Sequence, residues 1–252
     1  MDLRLKGKRA IVTGASRGIG KVIARTLAEE GVDIVIAARG RAKLEETASE
    51  LALMTGRRIV PIVANTAEQE SVDAMAEQAV ATLGSIDILI NAAALPGGIS
   101  SARALDQIVD SEALEDINIK VIGYLRTARA VAPHMIANGW GRIINIGGLA
   151  LYTTGRPVAT LRNVGVAAIT KNLADELGPK GINVTAVHPG MTRTEATSAE
   201  METIAIGRNT IGRMVEAQDI ARVVTFLASP LSVAINGDAI EAGGGSPGII
   251  RY

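Results

Sequence analysis

The first residues whose types and spacing could do chemistry are Thr13-Gly14-Ala15-Ser16-Arg17-Gly18-Ile19-Gly20, which follow a short apolar run and open a segment of helical period. Glycines in such a place let the chain turn sharply, let its backbone approach a pyrophosphate and let the helix pack on the strand. The helix N-terminus adds free N–H groups and a positive dipole. The pattern is a cradle for a dinucleotide. The second apolar run ends in Ala37-Ala38-Arg39. An acidic residue there would bind a ribose 2′-hydroxyl, whereas an arginine accommodates a 2′-phosphate. With Arg17 as a second cation, NADP(H) is favoured over NAD(H).

Other chemistries have little to stand on. Cysteine is absent, which removes disulfides, thiolate nucleophiles and cysteine metal sites. His134 and His188 are far apart with no carboxylate at ligand spacing, so no metal site is expected. The 26 basic and 26 acidic residues balance, leaving no footprint for nucleic acid or an anionic membrane and pointing to a small-molecule partner. No apolar run is long enough to span a bilayer and no charged-then-apolar leader opens the chain, so the expected location is cytoplasmic.

The elements that must position the cradle are short β-branched runs alternating with helical stretches, the pattern of stacked βαβ units. Strands are expected at Arg9 to Thr13, Asp33 to Ala37, Ile59 to Val63, Ile86 to Ile90, Arg142 to Ile146, Ile182 to Val187 and Ala239 to Glu241. Most are apolar at successive positions, so helices should cover both sheet faces. Helices are expected at Ile19 to Glu30, Arg41 to Met54, Ser71 to Leu83, Ala113 to Ala137 and Val158 to Leu177, the last with Pro157 in its first turn. No repeat, low-complexity stretch or linker divides the 252 residues, which reads as one domain.

Further motifs extend the pattern. Asn91-Ala92-Ala93-Ala94 follows the fourth strand, Asn118 ends Asp116-Ile117-Asn118, Gly141-Arg142-Ile143-Ile144-Asn145-Ile146 forms the fifth strand, and Pro189-Gly190 precedes Thr192 and Thr194. Together with the spacing of Gly14, Gly18 and Gly20, the stretch Arg213 to Ser229 and the Asn236-Gly237 pair, these resemble the short-chain dehydrogenase/reductase family. Asn91-Ala92-Ala93-Ala94 departs twice from that family's Asn-Asn-Ala-Gly motif, and Asn118 matches its helix asparagine. The resemblance implies a Rossmann-like α/β fold: a doubly wound parallel sheet of about seven strands with helices on both faces, in three layers, binding its ligand beyond the carboxyl ends of the strands. It implies cofactor contacts at Gly14, Ser16, Arg17, Gly18, Ile19, Gly20 and Arg39, with Asn65 near the adenine. Asn91, Ala92, Ala93, Asn163, Pro189, Gly190, Thr192 and Thr194 would complete the cofactor site. It also implies a substrate lid near 191–214 and a homo-oligomer, tetramer or dimer, built on the two long helices, where Ala159, Gly165, Ala167 and Ala168 permit close approach.

The family's reactive residues do not match. A Ser orients the carbonyl or alcohol, a Tyr transfers the proton, and a Lys four residues later holds the ribose and lowers the phenol's pKa, which is otherwise about 10. Here the three slots are read as Gly148, Ala159 and Asn163. None of the tyrosines, Tyr124, Tyr152 and Tyr252, is followed by Lys at four residues. Tyr152 precedes Arg156 at that spacing, a pair also found in the family's halohydrin dehalogenases, but Pro157 should start the helix and leave both in a loop. The remaining candidates are Tyr152, His188 as a proton donor at the pocket rim, and Asn118, whose amide can position water but not take a proton. Thr153, Thr154 and Thr160 offer hydroxyls with no evident base, and Arg162 reads as a surface or interface charge. Two functions stand: an NADP(H)-dependent oxidoreductase acting on a small carbonyl or alcohol with an atypical proton donor, or a non-redox dinucleotide-binding protein, whether a regulator, an inactive subunit or a lyase-like enzyme. The absence of aromatic residues from Met191 to Met214 favours a polar or aliphatic ligand.

Overall fold

The computed structural model describes residues 1–95 and 102–247; Tyr252 lies outside them. Strands β1 (Arg9–Thr13), β2 (Asp33–Ala38), β3 (Ile59–Val63), β4 (Ile88–Asn91), β5 (Gly141–Ile146) and β6 (Ile182–Pro189) are followed by the two-residue β7 (Thr192–Arg193) and β8 (Val215–Glu216), then by β9 (Ala239–Ala242). Seven of them form one sheet in the order β3-β2-β1-β4-β5-β6-β9. Every neighbouring pair is parallel. The chain winds outward from β1 in one direction and from β4 in the other. Between them lies the crevice where such sheets bind ligands.

Helices α1 (Gly18–Glu29), α2 (Arg41–Thr55), α3 (Gln69–Leu83), α4 (Asp110–Ile117), α5 (Gly123–Ala137), α6 (Pro157–Leu177), α7 (Ala199–Ile206) and α8 (Ala217–Ala228) complete the order. Successive strand residues enter opposite cores: Val12, Ile34 and Ile144 pack with Ile23, Leu44 and Val224 of α1, α2 and α8. Their neighbours Ile11, Val35 and Ile143 pack with Met75, Val131 and Leu177 of α3, α5 and α6. This is the three-layer, doubly wound arrangement that the unalternated apolar runs require. No helix among the described residues is long and apolar enough to cross a membrane.

The single helix expected from Ala113 to Ala137 is instead α4 and α5 joined by a wide π-type turn over Asn118–Ile122. Side-chain donors satisfy carbonyls in this turn. Thr66 Oγ1 donates to Ile119 O at 3.2 Å, and Arg126 Nη1 donates to Asn118 O at 3.3 Å and Thr66 O at 3.1 Å. Such turns rotate the following side chains relative to a regular helix.

Arg162 is not the surface charge expected. It is buried, and its Nη1 lies 2.7 Å from both oxygens of the buried Asp116, tying α6 to α4. Ala159 is also buried, and Gly165 is used internally, since a Cβ there would lie 3.1 Å from Val121. Removing one partner of a buried ion pair strands the other charge. Arg162→Met is therefore expected to lower unfolding free energy by about 3–5 kcal/mol, read from urea denaturation midpoints; a loss below about 1 kcal/mol, the range of exposed pairs, would contradict the burial.

Candidate functional site

The cradle is built by contacts that tolerate no side chain. Gly14 has φ +67°, and a Cβ on it would stand 2.6 Å from Ala92 O; a Cβ on Gly20 would stand 2.4 Å from Gly14 O. The first closes β1 against the segment after β4, and the second packs α1 on its own turn. Thr13 Oγ1 holds the far wall, accepting from the N–H groups of Ala92 and Ala93 at 3.2 and 3.3 Å. Beyond the strand ends lies a cavity of about 330 Å³. Its lining includes Gly14, Ser16, Arg17, Arg39, Lys43, Asn65 and Ala92–Ala94. Asn65 closes a local turn, its Oδ1 accepting from Ala67 N–H at 3.2 Å. Three exposed cations, Arg17, Arg39 and Lys43, line the cavity, and Lys43 Nζ pairs with Glu46 at 2.8 Å. Lys43, in the first turn of α2, is not among the residues that the motifs pick out; its place two residues after Arg41 is the available signal.

The matched family model is that described as enoyl-(acyl carrier protein) reductase, over residues 14–246. The chain is 32% identical over 248 residues to the 3-oxoacyl-(acyl-carrier-protein) reductase of Vibrio cholerae, an alignment covering 96% of this chain and 98% of that protein. The chain belongs to the short-chain dehydrogenase/reductase family. Among solved members, the L-sorbose reductase of Gluconobacter frateurii complexed with NADPH and L-sorbose superposes with a TM-score of 0.91 at 27% identity, covering 99% of this chain and 100% of that one. A 7α-hydroxysteroid dehydrogenase complexed with NADH gives 0.89 at 28% identity, covering 99% and 98%. The seven-stranded parallel sheet expected of the family is present.

At the opposite end of the crevice this short-chain dehydrogenase/reductase brings together residues from four elements. His188 on β6 is fully buried, and its Nδ1 accepts from Gly148 N–H at 3.1 Å, which leaves the proton of the neutral ring on Nε2. The approach requires glycine before it, because a Cβ on Gly147 would lie 2.1 Å from that Nδ1. Tyr152, on a short turn at Leu149–Tyr152, meets the His188 ring edge to face at 6.5 Å between centroids. Asn163 on α6 is buried beside Gly148: a Cβ there would be 3.4 Å from Asn163 Nδ2. Its Nδ2 donates to Ala159 O at 2.8 Å, while its Oδ1 is buried with no hydrogen-bond partner among the described residues. Gly148, Ala159 and Asn163 thus share one corner.

Two expected contributors have structural partners. Asn118 Oδ1 accepts from Arg126 Nη2 at 2.8 Å, which ties it to α5. Asn91 is fully buried in a chain of side chains, accepting from Thr127 Oγ1 at 2.7 Å and donating to Asn145 Oδ1 at 3.0 Å, with Asn145 donating on to Thr170 at 3.0 Å. That amide joins β4 to β5 and α5; it is spent inside the fold. Two residues beyond Asn118 the wide turn aims Lys120 inward, and its Nζ donates to Gly147 O at 2.9 Å. Four residues further, Tyr124 donates to Ile146 O at 3.0 Å. The family's order has Lys four residues after a tyrosine; Lys120 stands four residues before one.

The 191–214 segment reaches the cradle. Arg193 of β7 pairs with Glu216 at 2.9 Å and with Glu202 of α7, which ties the segment to itself and to β8. Pro189 ends β6, Gly190 packs on Gly243, and Thr192 Oγ1 donates to Gly190 O at 3.0 Å. Thr194 N–H donates to Thr197 at 2.9 Å. Glu195 then places both carboxylate oxygens 3.2 and 3.3 Å from Gly18 N, at the N-terminus of α1. A pyrophosphate would seek that same N–H and dipole. Glu195→Gln keeps the shape and removes the charge. It is expected to tighten NADPH binding about two- to fivefold, the worth of one exposed charge at a helix terminus, as read by fluorescence titration; an unchanged or weaker affinity would contradict the competition.

Proposed function

We propose that the chain is an NADP(H)-dependent oxidoreductase that interconverts a small carbonyl compound and its alcohol, with proton transfer by a group other than the family's Ser, Tyr and Lys. The observation that carries the cofactor choice is that Arg17, Arg39 and Lys43 line the cavity, with no carboxylate at the end of β2. Solved relatives include both an NADPH and an NADH complex, so membership alone does not choose. The arginines support NADP(H), because a guanidinium fork matches a 2′-phosphate in geometry and charge.

The residues present fit a dinucleotide. The glycine turn lets its backbone pack directly on Ala92 and on itself, and the first turn of α1 would offer Gly18, Ile19 and Gly20 backbone to a pyrophosphate. Ala92 and Ala93, pinned by Thr13, form the wall against which the central part of the cofactor rests. Asn163 Oδ1 is an acceptor facing the corner without a donor, suited to a ribose hydroxyl. A bound reduced nicotinamide supplies the hydride; the chain supplies position and exclusion of water. Pro189, Gly190, Thr192 and Thr194 open the 191–214 segment that serves as lid of a one-domain enzyme. Its lack of aromatic residues suits a polar or aliphatic substrate. The exposed Leu161, Val164 and Ala168 on α6 are the face through which copies of the chain would associate.

The competing reading, a non-redox dinucleotide binder, draws on the corner of Gly148, Ala159 and Asn163, which holds neither hydroxyl nor phenol. Incubation of the protein with NADPH and a panel of small aliphatic and polyhydroxy aldehydes and ketones, followed by absorbance, separates the two. Substrate-dependent NADPH oxidation is expected. NADPH that binds and is never oxidised would replace the reductase reading with the non-redox one.

A further inference from the structure

Lys120 is a buried amine with almost nothing to hold it. Its side chain is 5% exposed, and among the described residues Nζ makes one hydrogen bond, to Gly147 O at 2.9 Å, and no ion pair. An ammonium has three donors to satisfy. The carboxylate nearest in sequence, Asp116, is engaged through both oxygens by Arg162 at 2.7 Å. Lysine is almost never buried unpaired in a structural role, because the cost of removing its charge from water is not returned. The wide turn over Asn118–Ile122 nevertheless directs it to the carbonyl of Gly147, the residue before Gly148. That is the corner where Asn163 brings no charge and leaves Oδ1 without a partner.

Resting on the reductase reading, we propose that Lys120 is the proton donor of this site, giving a proton from its ε-ammonium to the oxygen of a small aldehyde or ketone substrate. As hydride from the reduced nicotinamide forms the new C–H bond, the carbonyl π pair moves onto oxygen. That oxygen takes the proton from Nζ, an N–H bond breaks and an O–H bond forms. The neutral amine regains a proton from solvent, and the oxidised nicotinamide leaves with the alcohol. Tyr124 is unsuited to this role, because its hydroxyl is committed to Ile146 O and burial pushes its pKa up.

The electrostatics agree with the geometry. Burial, with Arg162 of α6 adding to it and Asp116 of α4 opposing, pushes Lys120 down from 10.5 to about 7. Tyr124 on α5 stays protonated, and His188 on β6 faces the neighbouring Gly148 N–H as a neutral acceptor. A donor titrating near the working pH gives up its proton readily and recovers it.

One readout needs no turnover. Nitrogen-detected NMR of the Lys120 ammonium in the wild-type protein is expected to show a titration near pH 7, and a midpoint close to 10.5 would overturn the proposal. Because the folded pKa lies below the unfolded one, the unfolded chain binds the extra proton between about 7 and 10.5. Stability gained from this group therefore rises with pH across that window, and Lys120→Met should flatten the rise. In turnover, carbonyl reduction should fall as pH passes about 7. Lys120→Met should lose about 100-fold or more in kcat/KM while NADPH affinity is kept. Lys120→Arg should move the falling limb to higher pH. Reduction by Lys120→Met within about threefold of wild type with the same pH profile would overturn the proposal and leave the reductase reading standing. Absence of reduction by the wild type would end both.

Discussion

A backbone contact with no room for a single carbon sets the geometry of this site. The carbonyl of Ala92 comes within 2.6 Å of where a Cβ of Gly14 would be, and that closeness joins the ends of β1 and β4 across the crevice. The same device recurs along the edge. Gly20 meets Gly14 O, and Gly147 meets the ring of His188, each at a distance that only glycine permits. The parallel register then delivers Thr13, Asn91 and Asn145 to one level. Helix termini and side chains from both halves of the chain converge there because the sheet reverses its winding at that point.

Polar groups beneath this edge are treated in two ways. Thr127, Asn91, Asn145 and Thr170 bond one another in sequence, and Arg162 Nη1 bonds both oxygens of Asp116, so these groups bind helices to the sheet without any ligand. Such fully connected networks rigidify a core. Lys120 and Asn163 are different, since each is buried with capacity left over.

The strands are readable because each is a short apolar run that must be covered on both faces, and the cradle because its glycines sit between a strand and a helix. Features that escape the sequence depend on partners distant in the chain. The break at Asn118–Ile122 is stabilised by Thr66 and Arg126, so helical period alone gives a continuous helix. That break turns Lys120 inward to Gly147 O and sets Asn118 Oδ1 against Arg126. Arg162 reads as a surface charge because its counter-ion, Asp116, lies 46 positions away. Glu195 reaches the helix N-terminus from 177 positions away, a pairing no local pattern carries. The Lys-x-x-x-Tyr spacing at Lys120 and Tyr124 is visible in the residues, but a reading framed by the family's order passes over it.

In the proposed function, the crevice between β1 and β4 reads the 2′-phosphate of a dinucleotide through Arg17, Arg39 and Lys43. Dissociation constants for NADPH and NADH, measured by calorimetry on the wild-type protein at low and raised salt, test it most directly. NADPH is expected to bind about tenfold or more tightly than NADH, as charge-assisted phosphate contacts require, and the advantage should shrink as salt screens the three exposed cations. Equal affinities, or tighter binding of NADH, would contradict it.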